Sequence, residues 1–470
     1  MSRHEARTYV EEHFDRYMDD LLEFVGQPSV SATGEGVDGC TDLIERLSEA
    51  YGFDETEVVE TPGQPSVISR AFVDGDPDSD APTVLIYGHY DTQPVDPEQW
   101  ETPPFEPTFR EVDGEEYLFA RGISDMKGQL FAHLVAVEAL RETSGLPVNV
   151  TLFSEGEEES GSPNIEEVVA EHVDLLSAGV MYCPDGEVDS TGRPLIKLGD
   201  RGLVPFQIDC YGANQELHSG NFGGPVPNPI WELTRLVDSM RDEDGVITID
   251  GVYDDVRDVT DLDRETLDAI PFDEEGIAER LGVDGYVPGR GESFAENLMY
   301  HPYLNVQGLT AGYDGEGNKN VIPTHARAKF DFRLVPDQDP DAVYRDVLDH
   351  VAEHGSELVE WEVTRLDGDD RSNRPTGTPL DSPFLPPVRE AVRDVWSVDP
   401  IVHPRTGGSG PYDVFEDYLD VHHFAVPYGS TGSRRHGPNE NMSVRNVELG
   451  MKTSVAVLEN LATAFEERSG

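Results

Sequence analysis

The chain has 470 residues, enough for two or three domains and a sizeable core. It carries 94 Asp and Glu against 34 Lys and Arg, a net charge of −60, which excludes nucleic acid and anionic membranes as partners because the whole surface repels phosphate. Disorder is excluded too, since 37% of residues are hydrophobic, with 19 Phe, 17 Tyr and regular apolar periodicity. Only five residues are lysine (127, 197, 319, 329 and 452), so nearly all positive charge is arginine. Such an acid excess is the surface expected of a protein from a salt-accumulating cell, where concentrated salt screens self-repulsion. Cys40, Cys183 and Cys210 are widely spaced and odd in number, which argues for a reducing, cytoplasmic setting without disulfides or a thiolate metal site. The N-terminus MSRHEARTYVEEHFDRY lacks an apolar signal core, and no stretch approaches the roughly 20 apolar residues of a membrane span.

In chain order, Val10, Phe14, Met18, Leu21 and Leu22 recur at helical spacing and predict a helix over residues 5–24. TVLIYGHYD (83–91) is a short apolar run ending in polar residues, the pattern of a buried strand. A helix is predicted over 127–142. VNVTLFSEGEEE (148–159) and LLSAGVMYCPDGE (175–187) repeat the strand-into-acids design. Each delivers His, Asp or Glu at the C-terminal end of a strand, where the ligand crevice of an open α/β sheet lies.

Beyond about residue 204 the character changes. Residues 250–295 are acid- and turn-rich and read as irregular or short-helical. HARAKFDFRLVP (325–336) alternates strictly, with Ala326, Ala328, Phe330, Phe332 and Leu334 on one face and Arg327, Lys329, Asp331 and Arg333 on the other. This is a half-buried antiparallel strand. A helix (340–354), a second alternating strand (357–365) and a polar connector (367–383) follow, and apolar elements resume at 385–396, 421–427 and 446–466. The fold class is therefore α/β: a discontinuous domain with a mixed sheet flanked by helices, residues 1–204 and 385–470. An α+β domain, residues 205–384, is inserted into it.

The chain lacks a Walker A motif, HExxH and G-x-S-x-G; TGGSG (406–410) is weak evidence for phosphate binding and the net charge weakens it further. What it has is imidazoles and carboxylates at strand ends. His89 and Asp91 are two apart and share a strand face, so Asp91 is placed to fix the tautomer of a metal-bound His89. A polar loop pair is the plain alternative. Asp125, before the 127–142 helix, reads equally as an N-cap. Glu155, Glu157, Glu158 and Glu159 form either a solvated turn or a cluster that repels itself unless cations neutralise part of it. Asp185 and His436 are weak singly. As a set they offer N and O ligands without sulfur, which suits Zn²⁺, Mn²⁺ or Co²⁺, and so many carboxylates with few His suit a pair of ions.

GHYD, RGISDMKG, EGEEESGS, CPDGE and RRHGPNE, in this order, resemble the M20 metallopeptidases, the family of aminoacylases, acetylornithine deacetylases, succinyl-diaminopimelate desuccinylases and carnosinase-type dipeptidases. The resemblance implies two divalent ions per subunit, most readily Zn²⁺: His89 and Asp185 on one, Glu159 and His436 on the other, and Asp125 bridging. It sets Glu158 as general base and Asp91 as the residue that orients His89, with Glu157 as the neighbour a one-residue shift would select instead. QELHSGNFGG (215–224) resembles the segment whose His reaches a partner subunit's site to stabilise the oxyanion, implying that role for His218 and a homodimer through the inserted domain. NVIPTHARAKFDFRLVP (320–336) and RTGGS (405–409) resemble segments that grip a substrate carboxylate, implying Arg333, Gly408 and Ser409. A surface His, a sheet salt bridge and a turn are the plain alternatives for these.

The chemistry implied is metal-assisted amide hydrolysis, with Glu158 taking a proton from water and returning it to the leaving amine. Residues split between core and insert imply domain closure. The 250–300 region and HPYLNVQGLTAGYDGEGNKNVIP (301–323) resemble the dipeptidase branch, so a dipeptide or short peptide with a free carboxylate is favoured over an N-acyl amino acid. A non-catalytic binding protein on the same scaffold is the rival from another class, and the intact ligand set argues against it.

Overall fold

The structure, a computed structural model, describes residues 4–366 and 372–469. Residues 367–371, the head of the polar connector, and the first three residues of the opening segment lie outside the described residues. The chain divides into two units. One comprises Met1–Gly199, Gly377–Pro404 and Val414–Gly470, the other Asp200–Thr376 and Arg405–Asp413.

The first unit is built on an eight-stranded mixed sheet. In spatial order its strands are Glu55–Val59, Ser66–Ala71, Asn149–Glu155, Thr83–His89, Val180–Cys183, His423–Ala425, Leu195–Lys197 and Ile401–His403. Thr83–His89 runs parallel to both of its neighbours. It is buried from Val84 to His89, which explains a continuous apolar run rather than an alternating one. Helix Lys127–Glu142 is buried on nearly every side, and its apolar residues are correspondingly spread around it rather than confined to one stripe. It packs on the C-terminal helix Val444–Ser469, which also covers Leu385–Trp396. The predicted opening helix is two, Glu5–Glu12 and Phe14–Gly26. At the break His13 leaves helical backbone angles (φ −111°, ψ 10°), while its backbone N–H still reaches the Tyr9 carbonyl at 3.1 Å and its ring bonds the same oxygen at 2.9 Å.

The second unit is a four-stranded antiparallel sheet in the order Tyr303–Ala311, His325–Leu334, Gly202–Tyr211, Glu360–Arg365. Ala326, Ala328, Phe330, Phe332 and Leu334 are all buried, as the alternation requires. Phe330 stacks on Phe206 with ring centroids 4.7 Å apart. Helices Pro229–Ser239 and Pro340–His354 supply the rest of this core. The acid-rich stretch forms short helices, Asp261–Asp268, Glu274–Leu281 and Phe294–Tyr300. Residues Arg405–Asp413 join this unit through bonds from Arg201 N–H to Gly408 O and from the Asn373 side chain to Gly410 O, both 3.0 Å.

Candidate metal centre

The parallel strands set the site. Thr83–His89 pairs with Asn149–Glu155 so that His89 stands opposite Glu155. Glu158 and Glu159 therefore emerge just beyond the same sheet edge as His89. Asp185 lies two residues beyond Val180–Cys183, the strand on the other side. Asp125 precedes helix Lys127–Glu142 but does not cap it; the N-cap is Met126, without a side-chain bond. His436 sits in a turn that it enters with φ +59°, in the left-handed region.

Two groups of ligand atoms result, His89–Asp125–Asp185 and Asp125–Glu159–His436, each with its atoms within 4.8 Å of one another. Asp125 belongs to both. His89 Nε2 is 3.3 Å from Asp125 Oδ1 and 3.8 Å from Glu158 Oε2. His436 Nε2 is 3.0 Å from Asp125 Oδ2 and 3.1 Å from Glu159 Oε2. The His89 Nδ1 side faces Asp91, 3.2 Å from its backbone oxygen and 3.4 Å from Oδ1.

The four glutamates separate by environment. Glu155 is buried and bonds the Tyr87 hydroxyl, and desolvation lifts its carboxyl to about 7. Glu157 turns away, accepting the Gln64 N–H and the Asn164 side-chain amide, each at 2.8 Å. Hydrogen bonds to Glu157 and the raised proton affinity of Glu155 thus relieve part of the expected mutual repulsion, and only Glu158 and Glu159 lie at the ligand groups. Desolvation, together with Glu159, Asp185 and Asp125, pushes Glu158 well above the usual carboxylate range despite the opposing pull of His89. Burial would lower His89, yet Glu158, Asp125 and Asp91 hold it well above its ordinary value. Hydrogen bonds to Asp125 and Glu159 lift His436 to about 10. For Asp125, burial is outweighed by His436, His89 and Arg435, which hold it far below the usual range.

This is a pocket of negative potential that draws cations. Arg435 shows it directly, with Nη2 2.6 Å from both Asp125 Oδ1 and Asp185 Oδ1. His89 Nε2, fully buried, has no hydrogen-bond partner among the described residues. A sulfur-free set of imidazoles and carboxylates with an unpartnered buried nitrogen fits divalent cations.

On the second unit Arg333 and Ser409 meet, Nη1 to Oγ at 3.0 Å, and Arg333 Nε bonds Asp331 at 3.2 Å. Gly408 adjoins them, its carbonyl held by Arg201. His218 is exposed, and its Nδ1 accepts the Gly220 N–H at 3.0 Å. Three residues escaped the sequence reading. Gln93 bonds the Glu159 carboxylate at 2.8 Å. Arg121 and Glu440 form a buried ion pair beside Asp125. Glu440 lies four residues past His436, inside RRHGPNE, so its motif was visible although its target was not.

Residues 85–460 match the peptidase family M20/M25/M40. The chain belongs to this family. It is 30% identical to the Cys-Gly metallodipeptidase DUG1 of Candida albicans over 94% of each chain. It is 31% identical to the β-Ala-His dipeptidase of Homo sapiens, over 81% of this chain and 75% of that one. Among solved structures, an M20 family metallo-carboxypeptidase, Sso-CP2 from Sulfolobus solfataricus, superposes with a TM-score of 0.83 at 33% identity, covering 95% of this chain and 99% of the other. The M20 peptidase described here thus shares its mixed α/β architecture with enzymes named for peptide hydrolysis.

Proposed function

We propose that this M20 peptidase is a di-metal dipeptidase that hydrolyses short peptides ending in a free carboxylate. The observation that carries the reading is the membership of Asp125 in both ligand groups, with Glu158 beside them. His89, Asp125 and Asp185 would hold one ion and Asp125, Glu159 and His436 the other, with Zn²⁺, Mn²⁺ and Co²⁺ all suited to the donors. When bound, such ions supply Lewis acidity, polarising the scissile carbonyl and easing deprotonation of water. Glu158 holds the proton taken from water on its carboxylate and returns it to the leaving amine, a role its place beside the ligand groups suits. Arg333 and Ser409 bind the substrate carboxylate, the guanidinium as a two-pronged donor.

The relatives support this end of the substrate. Cys-Gly and β-Ala-His dipeptidases and a carboxypeptidase all cut an amide one residue from a free carboxylate. The deciding experiment assays Cys-Gly, β-Ala-His and Xaa-Ala dipeptides against N-acetylornithine, N-succinyl-diaminopimelate and N-blocked tripeptides, with metal analysis of the same preparation. Turnover confined to acyl amino acids would replace the dipeptidase reading with a deacylase. Preference for N-blocked tripeptides would make the enzyme a carboxypeptidase, the activity named for the Sulfolobus structure.

The reading includes a homodimer formed through the second unit, with His218 acting on the partner's substrate. Its support is the edge strand Tyr303–Ala311, which exposes Val306 and Leu309, and Trp231, exposed on helix Pro229–Ser239. Mixing His218→Ala with Glu158→Ala subunits should restore partial activity, and exchanged heterodimers without rescue would count against it. The reading also places the enzyme in the cytoplasm, which its few, buried and widely spaced cysteines suit. No described helix is long and apolar enough to cross a membrane.

A further inference from the structure

One buried ion pair reaches both loops that carry Asp125 and His436. Arg121 Nη1 lies 2.7 Å from Glu440 Oε2, and both side chains are buried. Glu440 also gathers the backbone N–H groups of Gly122 at 3.0 Å, Ser124 at 2.8 Å and Asp125 at 2.9 Å. From the other end of the pair, Arg121 Nη2 donates to the carbonyls of His436 and Gly437, each at 3.2 Å. Its guanidinium lies over the Trp100 ring, 5.3 Å from the centroid. Residues far apart in sequence are thereby joined in one network, a turn at 121–125 and a turn at 436–440.

A pair this buried contributes little net stability compared with apolar side chains of similar size, so stability alone is a poor account of it. Geometry is a better one. Three amides of a single turn converge on one carboxylate, fixing the backbone from which Asp125 projects. His436 is held in the left-handed region, which a non-glycine residue keeps only when its surroundings over-determine it. The two bonds from Arg121 do that.

We infer that the Arg121–Glu440 pair is the positioning element that presets Asp125 and His436 for their cations. The inference rests on the di-metal reading above. Because Asp125 belongs to both ligand groups, Glu440→Gln should weaken both ions; its amide nitrogen cannot accept a hydrogen bond from the converging N–H groups. The expected loss is about 10–100-fold in affinity for each, the usual effect of disturbing residues behind metal ligands. Arg121→Lys keeps a cation beside Glu440 but cannot span to both carbonyls, so it should weaken chiefly the ion of the Asp125–Glu159–His436 group.

The test is competition titration of Zn²⁺ and Mn²⁺ against a chromophoric chelator, with the Tm of each metal-stripped protein measured alongside. A wild-type enzyme that retains no divalent ion would sink the di-metal reading itself. If wild type binds two ions and both variants bind them with unchanged affinity, the positioning role is wrong, and any fall in Tm then marks a purely structural pair. Should Glu440→Gln fail to fold, Arg121→Lys decides alone by the same criterion.

Discussion

Asp91 accepts the backbone N–H of Glu159 on Oδ2 at 3.0 Å. Its other oxygen takes the N–H of Glu158 at 3.2 Å and stands 3.4 Å from His89 Nδ1. One buried carboxylate thus aligns a candidate ligand on one strand with the turn carrying the base and a second ligand on the next. Asp91→Ala should therefore cost more than an oriented imidazole. Metal affinity is expected to fall about 10–100-fold and kcat to fall with it even at saturating metal, because the Glu158 backbone loses its anchor. Full kcat restored by excess metal would confine Asp91 to the ligand side.

The run of glutamates offers a sharper test. Glu158 faces the ligand groups, whereas Glu157 is tied to Gln64 and Asn164. Glu158→Gln should lower kcat by about 10²–10⁴-fold while both ions remain bound. Glu157→Gln should leave kcat within a few fold and lower the Tm, since it weakens buried hydrogen bonds. The opposite result, with Glu157 carrying the rate, would shift the base by one residue.

That distinction shows what was legible in the sequence. Apolar runs that stop at His89, Glu155 and Cys183 announced buried parallel strands and their polar ends, because burial on both faces leaves a signal in consecutive residues. The alternation around Arg333 announced a half-buried strand for the same reason. What turns on long-range partners was not legible. The fate of Glu157 depends on a loop more than ninety residues earlier, and that of Glu440 on the turn before helix Lys127–Glu142. The Asp125 side chain reads as an N-cap until the helix is seen to begin without one.

The Arg333–Ser409 contact predicts how substrate is selected. Replacing Arg333 by Met should cut kcat/KM for a dipeptide about 10–100-fold, mainly through KM, as expected for losing a charged hydrogen bond. The same dipeptide carrying a C-terminal amide should be a poor substrate of the wild-type enzyme and be little affected by the change. Equal losses on acid and amide would show that Arg333 does not read the carboxylate.

A net charge of −60 makes self-repulsion a standing cost of the folded state. The Debye length shrinks from about 10 Å at 0.1 M salt to about 3 Å at 1 M, so repulsion between neighbouring surface acids is largely removed at high salt. The Tm should rise steadily as KCl is raised from 0.1 M to about 2 M, and dialysis to low salt should inactivate the enzyme. A Tm independent of salt over that range would remove the salt-adapted reading of the surface.

His133 predicts a pH dependence that is separate from the metal centre. It lies fully buried within helix Lys127–Glu142, its Nδ1 3.1 Å from the Ser454 hydroxyl and its ring edge-on to Tyr182. Desolvation drives its pKa down to about 3, against about 6.5 in the unfolded chain. Between these values the unfolded state binds a proton that the folded state refuses. Stability is therefore fully present above the unfolded pKa and declines as pH falls towards 3, at up to about 1.4 kcal/mol per pH unit. His133→Gln retains hydrogen-bonding capacity towards Ser454 but has no group to titrate. From pH 7 to pH 5, urea unfolding should show wild type losing about 2 kcal/mol more than the variant. Parallel losses in the two proteins would mean that His133 takes up its proton while folded.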